Sequence, residues 1–326
     1  MNWIVGVDIG GTNLVVGLVP EAGGDAVALR NRATRAERGI GAVVDDIVRL
    51  ARGAIEEAGV DLVDVVGMGV GSPGPLDRAT GVVSESPNLG WREVPLRALL
   101  RDRFDAPVAL DNDANCAVYG EWWQGSGQGS ESMFGVTVGT GIGGGWISDG
   151  RLQHGVSDAA GEIGHTTVAI DGRLCACGNY GCLEAYASGP SIANRARQGV
   201  AAGTDSVLLD LVDGDLDRIT AVTVFEAAVS GDAFADRVVN EAARTLGVGV
   251  ANIINLLNPE VVVLMGGVTR AGDHLLQPLR AEVRTRAFEV SAEACRIEPG
   301  TLVETAGVVG AAGLFLQARG AGLVTP

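Results

Sequence analysis

Val5 to Val7 is apolar without a break, Asp8 ends the run, glycines follow at Gly10 and Gly11, and a second largely apolar run covers Asn13 to Val19. Short unbroken apolar runs read as buried strands, so Val5–Asp8 and Asn13–Val19 are predicted to form a hairpin around the glycines. From Gly39 to Ala58 the spacing changes: Val43, Val44, Ile47, Val48, Ala51, Ala54 and Ile55 recur at helical intervals. Val65–Val70 is a further strand, followed by the loop Gly71-Ser72-Pro73-Gly74-Pro75. Val108–Leu110 is a short strand running into Asp111-Asn112-Asp113, after which Ala114–Trp123 has helical spacing. A second cycle begins at Phe134, with a strand over Gly135–Val138, a turn at Gly139-Thr140-Gly141 and a return over Gly145–Ser148. Strand, Gly/Thr turn and strand therefore occur twice, which points to an approximate internal duplication. Asp232–Leu257 reads as one long helix, Val261–Leu264 as a strand turned at Gly266-Gly267, and Ala306–Ala318 as an apolar closing helix. No low-complexity linker separates these segments, and the domain boundary is expected near Asp111.

At 326 residues the chain has room for two domains of ordinary size, and 47% of it is apolar. Few aromatics and abundant Gly, Ala and Val favour an α/β protein with close helix–sheet contact. A net charge of -16 argues against nucleic acid or an acidic membrane as a partner. Lysine is absent; every cationic side chain is arginine. A Walker-type phosphate loop, a protein-kinase site and Schiff-base or pyridoxal chemistry all require lysine and are excluded. The opening MNWIVGVDIGGTN reads as a strand rather than a secretory signal. The apolar stretch Ile253–Met265 is interrupted by Asn255, Asn258, Pro259 and Glu260, so it does not span a membrane. Clustered thiols without disulfide-like spacing fit a reducing cytoplasm.

That cluster is the densest chemistry in the chain. G-E-I-G-H ends at His165, and C-A-C-G-N-Y-G-C-L-E follows with Cys175, Cys177, Cys182 and Glu184. Three thiolates and one imidazole complete a zinc tetrahedron, and Gly178 and Gly181 let the backbone fold tightly enough to converge them. A metal-free cysteine cluster or a redox pair is the plainer reading. With all four positions taken by protein, structural zinc is favoured over a metallohydrolase, which keeps one position open.

Five further constellations carry candidate chemistry. Asp8 with Gly10, Gly11 and Thr12 offers backbone N–H groups and a hydroxyl to an anion, with a carboxylate for magnesium; a plain hairpin turn is the alternative. Gly139-Thr140-Gly141, continuing through Gly145, offers the same donors from the second cycle. Gly266 and Gly267 would let a base or ribose lie against backbone, or only turn a strand into a helix. In Asp111-Asn112-Asp113 a carboxylate is placed to accept a hydroxyl proton; Asp and Asn also cap helices, and capping is the plainer reading for one of the two aspartates. Asn88, Glu162, His165 and Glu184 form a polar set suited to a polyhydroxylated ligand. A Ser–His–Asp hydrolase would need a G-x-S-x-G elbow, and the chain has none.

D-I-G-G-T at Asp8–Thr12, P-N-L at Pro87–Leu89, D-N-D-A-N at Asp111–Asn115, G-T-G-I-G-G-G at Gly139–Gly145, E-I-G-H at Glu162–His165 and the cysteine motif occur in this order. In this the chain resembles the ROK family of sugar kinases and repressors, and within it the bacterial ATP-dependent glucokinases. The resemblance implies a two-domain α/β hexokinase–actin-like (ribonuclease H-like) fold with a ligand cleft between domains. Its last helix would return to the N-terminal domain, giving 1–111 plus 306–326 and 112–305. It implies Asp113 as general base and Asn88, Asn112, Glu162, His165 and Glu184 as sugar contacts. His165 would place one ring nitrogen on zinc and the other toward the sugar. Asp8, Gly10, Gly11, Thr12, Thr140 and Gly141 would surround ATP phosphates and magnesium, and Gly266 and Gly267 would border the adenosine. Asn13 stands where many relatives carry lysine. The expected reaction is glucose to glucose 6-phosphate. Alternatives are a kinase for mannose, fructose, N-acetylglucosamine or N-acetylmannosamine, or a sugar-responsive repressor, which would carry a helix-turn-helix ahead of D-I-G-G-T. A homodimer is expected.

Overall fold

The structure, a computed structural model, describes residues 1–324. Its strands are β1 (Trp3–Ile9), β2 (Asn13–Pro20), β3 (Val27–Ala33), β4 (Val65–Ser72), β5 (Leu76–Asp77), β6 (Val82–Ser86), β7 (Trp91–Val94), β8 (Val108–Asn112), β9 (Met133–Val138), β10 (Ile142–Ser148), β11 (Arg151–Gln153), β12 (Val261–Met265) and β13 (Arg296–Pro299). The helices are α1 (Ile40–Ala58), α2 (Leu96–Phe104), α3 (Asp113–Gln124), α4 (Glu184–Ala187), α5 (Gly189–Ala201), α6 (Leu208–Leu211), α7 (Ala221–Val229), α8 (Ala233–Leu257), α9 (Asp273–Arg286), α10 (Glu289–Ala294) and α11 (Ala306–Gly320). None of the described helices is long and apolar enough to cross a membrane.

Two sheets share one plan. The first runs β3-β2-β1-β4-β8 and the second β11-β10-β9-β12-β13. In each, an antiparallel outer pair (β2 with β3, β10 with β11) is followed by parallel pairing at the far side (β4 with β8, β12 with β13). The repeat read from the two glycine turns therefore extends to whole sheets. A separate small sheet, β5-β6-β7, lies after the loop that follows β4.

Contacts divide the chain into one unit of Met1–Ser130, Gly145–Ala160 and the segment from Thr301 onward, and a second of Glu131–Gly144 and Gly161–Gly300. The division does not fall at Asp111, because α3 stays with the first unit. Glycines bring α3 and α11 into backbone contact: a Cβ on Gly310 would lie 1.6 Å from the Cys116 carbonyl oxygen. Helix α11 also rests directly on β4, where a Cβ on Gly69 would lie 1.9 Å from the Ala311 oxygen. The fully buried Glu121 of α3 accepts the backbone N–H groups of Ser126, Thr301 and Leu302, fastening both ends of this segment.

Strand β3, the small sheet and α2 are additional to the elements predicted above; in α2, Leu96, Leu100 and Phe104 are buried at helical spacing. β3 is an edge strand whose polar positions are used structurally: Arg32 pairs with the buried Asp46 of α1, and Arg30 with Glu57. Such alternation of arginine with small residues reads as loop.

Candidate active site

The first glycine turn closes the hairpin between β1 and β2 through Gly10 N–H donating to the Asn13 carbonyl at 2.8 Å. Thr34, buried, braces it twice: its hydroxyl donates to the Gly10 carbonyl and its N–H to the Thr12 carbonyl. Gly11 is open except toward Asn88, whose Cβ lies 3.3 Å from where a side chain would start, so P-N-L borders this turn. Asp8 sits at the end of β1, in register with Gly71 of β4, and its carboxyl lies against Gly307 in the first turn of α11. Burial, and then the charge of Asp113, push the Asp8 carboxyl up to about 7.

At the end of β8 three consecutive polar residues have three different tasks. Asn112 caps α3: its Oδ1 accepts from the N–H groups of Ala114 and Asn115, and the Ala114 N–H also lies 2.9 Å from Asp113 Oδ1. Asp113 opens the helix, partly buried, and a Cβ on Gly71 of β4 would lie 3.4 Å from its Cα. Asp111 is buried and points elsewhere. Its Oδ1 accepts from Asn115 Nδ2 at 3.0 Å and from Asn112 N–H at 2.8 Å, while its Oδ2 meets His154 Nε2 at 2.8 Å and Arg78 Nε at 3.0 Å. Burial alone would raise the Asp111 pKa; the His154 hydrogen bond, the Arg78 cation and the Asn115 amide outweigh it and hold the carboxyl below its ordinary value. Asn115 closes the D-N-D-A-N motif, but it was assigned no role from sequence, and Arg78 and His154 were not singled out at all, since no motif spacing marks them. The only available cue was a histidine in a chain that has three.

In the second unit, Gly139 N–H donates to the Gly141 carbonyl, and the Gly139 carbonyl accepts from Gly189 at the start of α5. Gly139 and Thr140 are exposed. Glu184 supports this turn from below. Its Oε2 accepts the Ile142 N–H at 2.8 Å, and a Cβ on Gly141 would lie 2.5 Å from the same oxygen. Gly266 follows β12 with φ of 95°, close against the Val138 carbonyl, so the strand-to-helix turn by itself accounts for this glycine. Gly267 has nothing within 4 Å of its Cβ direction and is the more open of the two.

His165, Cys175, Cys177 and Cys182 converge, their ligand atoms all within 4.8 Å of one another. Cys177 and Cys182 sulfurs are 3.7 Å apart, too far for a disulfide, and His165 Nδ1 is 3.9 Å from Cys175 Sγ. A tetrahedron with metal–sulfur bonds of about 2.3 Å has edges of about 3.8 Å, close to these two separations. Gly178 and Gly181 both take left-handed φ (90° and 74°), as the convergence requires. Cys175, pushed up to about 12 chiefly by burial, and Cys182, raised by burial, hold their protons without a metal; the Asn179 N–H draws Cys177 down. Since Nδ1 faces the sulfurs, Nε2 of His165 is directed away from them. Glu162 is exposed, three residues before His165 and just ahead of the short helical turn Ile163–His165. Glu184 Oε1 stands 3.7 Å from Cys175 Sγ, so one carboxylate links the cluster to the second glycine turn.

The family model described as "ROK family" matches residues 4–318. A glucokinase of Halalkalibacterium halodurans is 39% identical over 318 residues, covering 97% of this chain and 96% of that protein. A glucokinase of Thermotoga maritima is 38% identical, covering 97% and 98%. Among solved structures, a ROK family glucokinase from Streptomyces griseus in complex with glucose and AMPPNP has a TM-score of 0.85 at 36% identity, covering 97% of this chain and all of that one. The two-sheet α/β fold is thus the hexokinase–actin-like one. With the glycine turns, the D-N-D-A-N corner and the Cys/His cluster all falling inside the matched span, the chain belongs to the ROK family.

Proposed function

We propose that this protein is a sugar kinase that transfers the γ-phosphoryl group of ATP to a hexose, with D-glucose to glucose 6-phosphate the best-supported case. The observation that carries the reading is the corner formed by β1 and β8. A donor-rich glycine turn, Asp8 and Asp113 stand there on either side of Gly71 of β4, which is in register with Asp8 and packs against the Asp113 backbone. Glucokinases at 38–39% identity and the glucose and AMPPNP named for the S. griseus enzyme support the choice of substrates.

MgATP is the co-substrate. N–H groups of Gly10, Gly11 and Gly141 and the hydroxyls of Thr12 and Thr140 hold its phosphates, Asp8 orients its magnesium, and Gly266 and Gly267 border the adenosine. Asn88, Asn112, Glu162, His165 and Glu184 hold the sugar. Asp113 accepts the hydroxyl proton as the sugar oxygen bonds to phosphorus and the bond to the β-phosphate oxygen breaks. The four donors around the Cys/His cluster fit zinc, which would fix the loop bearing His165 and Glu184 and supply no step of the transfer.

ATP consumption with magnesium, measured across glucose, mannose, fructose, N-acetylglucosamine and N-acetylmannosamine, tests the proposal. Turnover strongest on glucose is the expected result. A preference for an N-acetylated sugar would keep the base and move the substrate, and no turnover on any sugar would overturn the reading.

A further inference from the structure

The Asp111 network is unusual in what it spends on one carboxylate. Side-chain exposures of Asp111, His154 and Arg78 are only 5%, 9% and 15%, so all three polar groups have largely left water. Arg78 comes from the turn after β5, His154 from the segment after β11 and Asp111 from the end of β8. Asp158 joins from the same segment as His154, accepting the Arg78 N–H at 3.2 Å and lying 3.8 Å from its guanidinium. Ionised carboxylates only accept, so His154 Nε2 carries the proton of its bond to Asp111. Buried ion pairs add little net stability, because desolvation cancels most of the attraction; what they do supply is a defined geometry.

That geometry lies directly behind the proposed base. One Asp111 oxygen receives His154 and Arg78. The other receives the N–H of Asn112 and the side-chain amide of Asn115, the residues on either side of Asp113 in the corner. The corner is therefore clamped from strand and helix at once, and the clamp is anchored in two separate loops.

We propose that His154, together with Arg78, is a positioning residue for phosphoryl transfer: it holds Asp111, and through Asp111 the orientation of Asn112 and Asp113. This rests on the kinase reading above. His154 does not touch the substrate. A displacement of about 1 Å at a reacting group costs on the order of a hundredfold in rate. Loss of the clamp should therefore appear in kcat and leave nucleotide binding alone.

The test compares steady-state kinetics of wild-type protein, His154→Gln, which keeps an N–H donor, and His154→Leu, which keeps volume without one. Both substitutions are repeated in an Asp111→Asn background. We expect His154→Leu to lower kcat about 10- to 100-fold with KM for MgATP within about twofold, and His154→Gln to recover most of that loss. In the Asp111→Asn background, His154→Leu should add little, since the effect passes through Asp111. Should His154→Leu fail to fold, His154→Asn, too short to reach Asp111, replaces it. A variant that lowers only the melting temperature, with wild-type kcat per folded molecule, would overturn the inference. So would equal losses in both backgrounds. Wild-type protein inactive on every sugar would instead overturn the kinase reading, and this inference with it.

Discussion

Asp8 is a buried carboxyl whose charge near neutral pH depends on its surroundings. Its folded pKa of about 7 stands above its ordinary 3.8, so the free folded protein keeps a proton that the unfolded chain has lost between those values. Stability contributed by this group is therefore full below 3.8, falls as pH rises through that window and levels off above about 7. A magnesium ion beside Asp8 favours the carboxylate, so MgATP binding should release a proton at Asp8. Calorimetry in buffers of different ionisation enthalpy should find release approaching one proton near pH 6 and vanishing well above pH 8, with none in Asp8→Asn. Equal release at both pH values would contradict the assignment. The carboxylates at this corner were legible as types but not as partners. D-N-D-A-N announces acid chemistry at a strand–helix junction, yet nothing in it separates Asp111, which is spent on Arg78 and His154, from Asp113. Only the fold brings residues from positions 78 and 154 to that strand end.

Elements differ in how clearly local pattern declared them. The paired hairpins, α1 and α8 were readable because each buries a regular apolar face. Strand β3 was not, because its arginines are ordered by neighbours; α2 and the small sheet are short, and their few buried apolar positions (Leu96, Leu100 and Phe104; Val83, Trp91 and Val94) do not stand out from the polar residues between them. The convergence of His165, Cys175, Cys177 and Cys182 was legible from residue type and spacing, because a metal-ligand set would dictate both. Metal analysis should find one zinc per chain, and Cys177→Ser should lose the metal and weaken sugar binding at least tenfold together. Sugar affinity unchanged in a metal-free Cys177→Ser protein would refute the organising role of that loop. Helix α11 makes a separate demand. Any side chain on Gly69 must displace the Ala311 backbone, so Gly69→Ala should destabilise the protein by roughly 1–3 kcal/mol in chemical denaturation. A loss well under that range would show that the helix can shift away from the sheet.

Two copies of one sheet plan, each opening with a glycine turn, make up the molecule. The duplication was visible in sequence because the turns repeat their glycines. The true division of the units was not, because α3 packs on a helix that arrives almost two hundred residues later, at Ala306. Absence of lysine excluded the lysine-dependent classes of phosphate chemistry from composition alone, while the glycine turns offer backbone amides. Both copies supply such amides, but Asp113 belongs to the first unit only, so the proposed transfer requires one proton acceptor in an otherwise repeated design. Turnover and glucose binding of Asp113→Asn, set beside the wild-type protein, examine that requirement. Sugar binding within about threefold of wild type, with kcat reduced on the order of a thousandfold or more, is the expected result. An Asp113→Asn enzyme that keeps most of its kcat would contradict it.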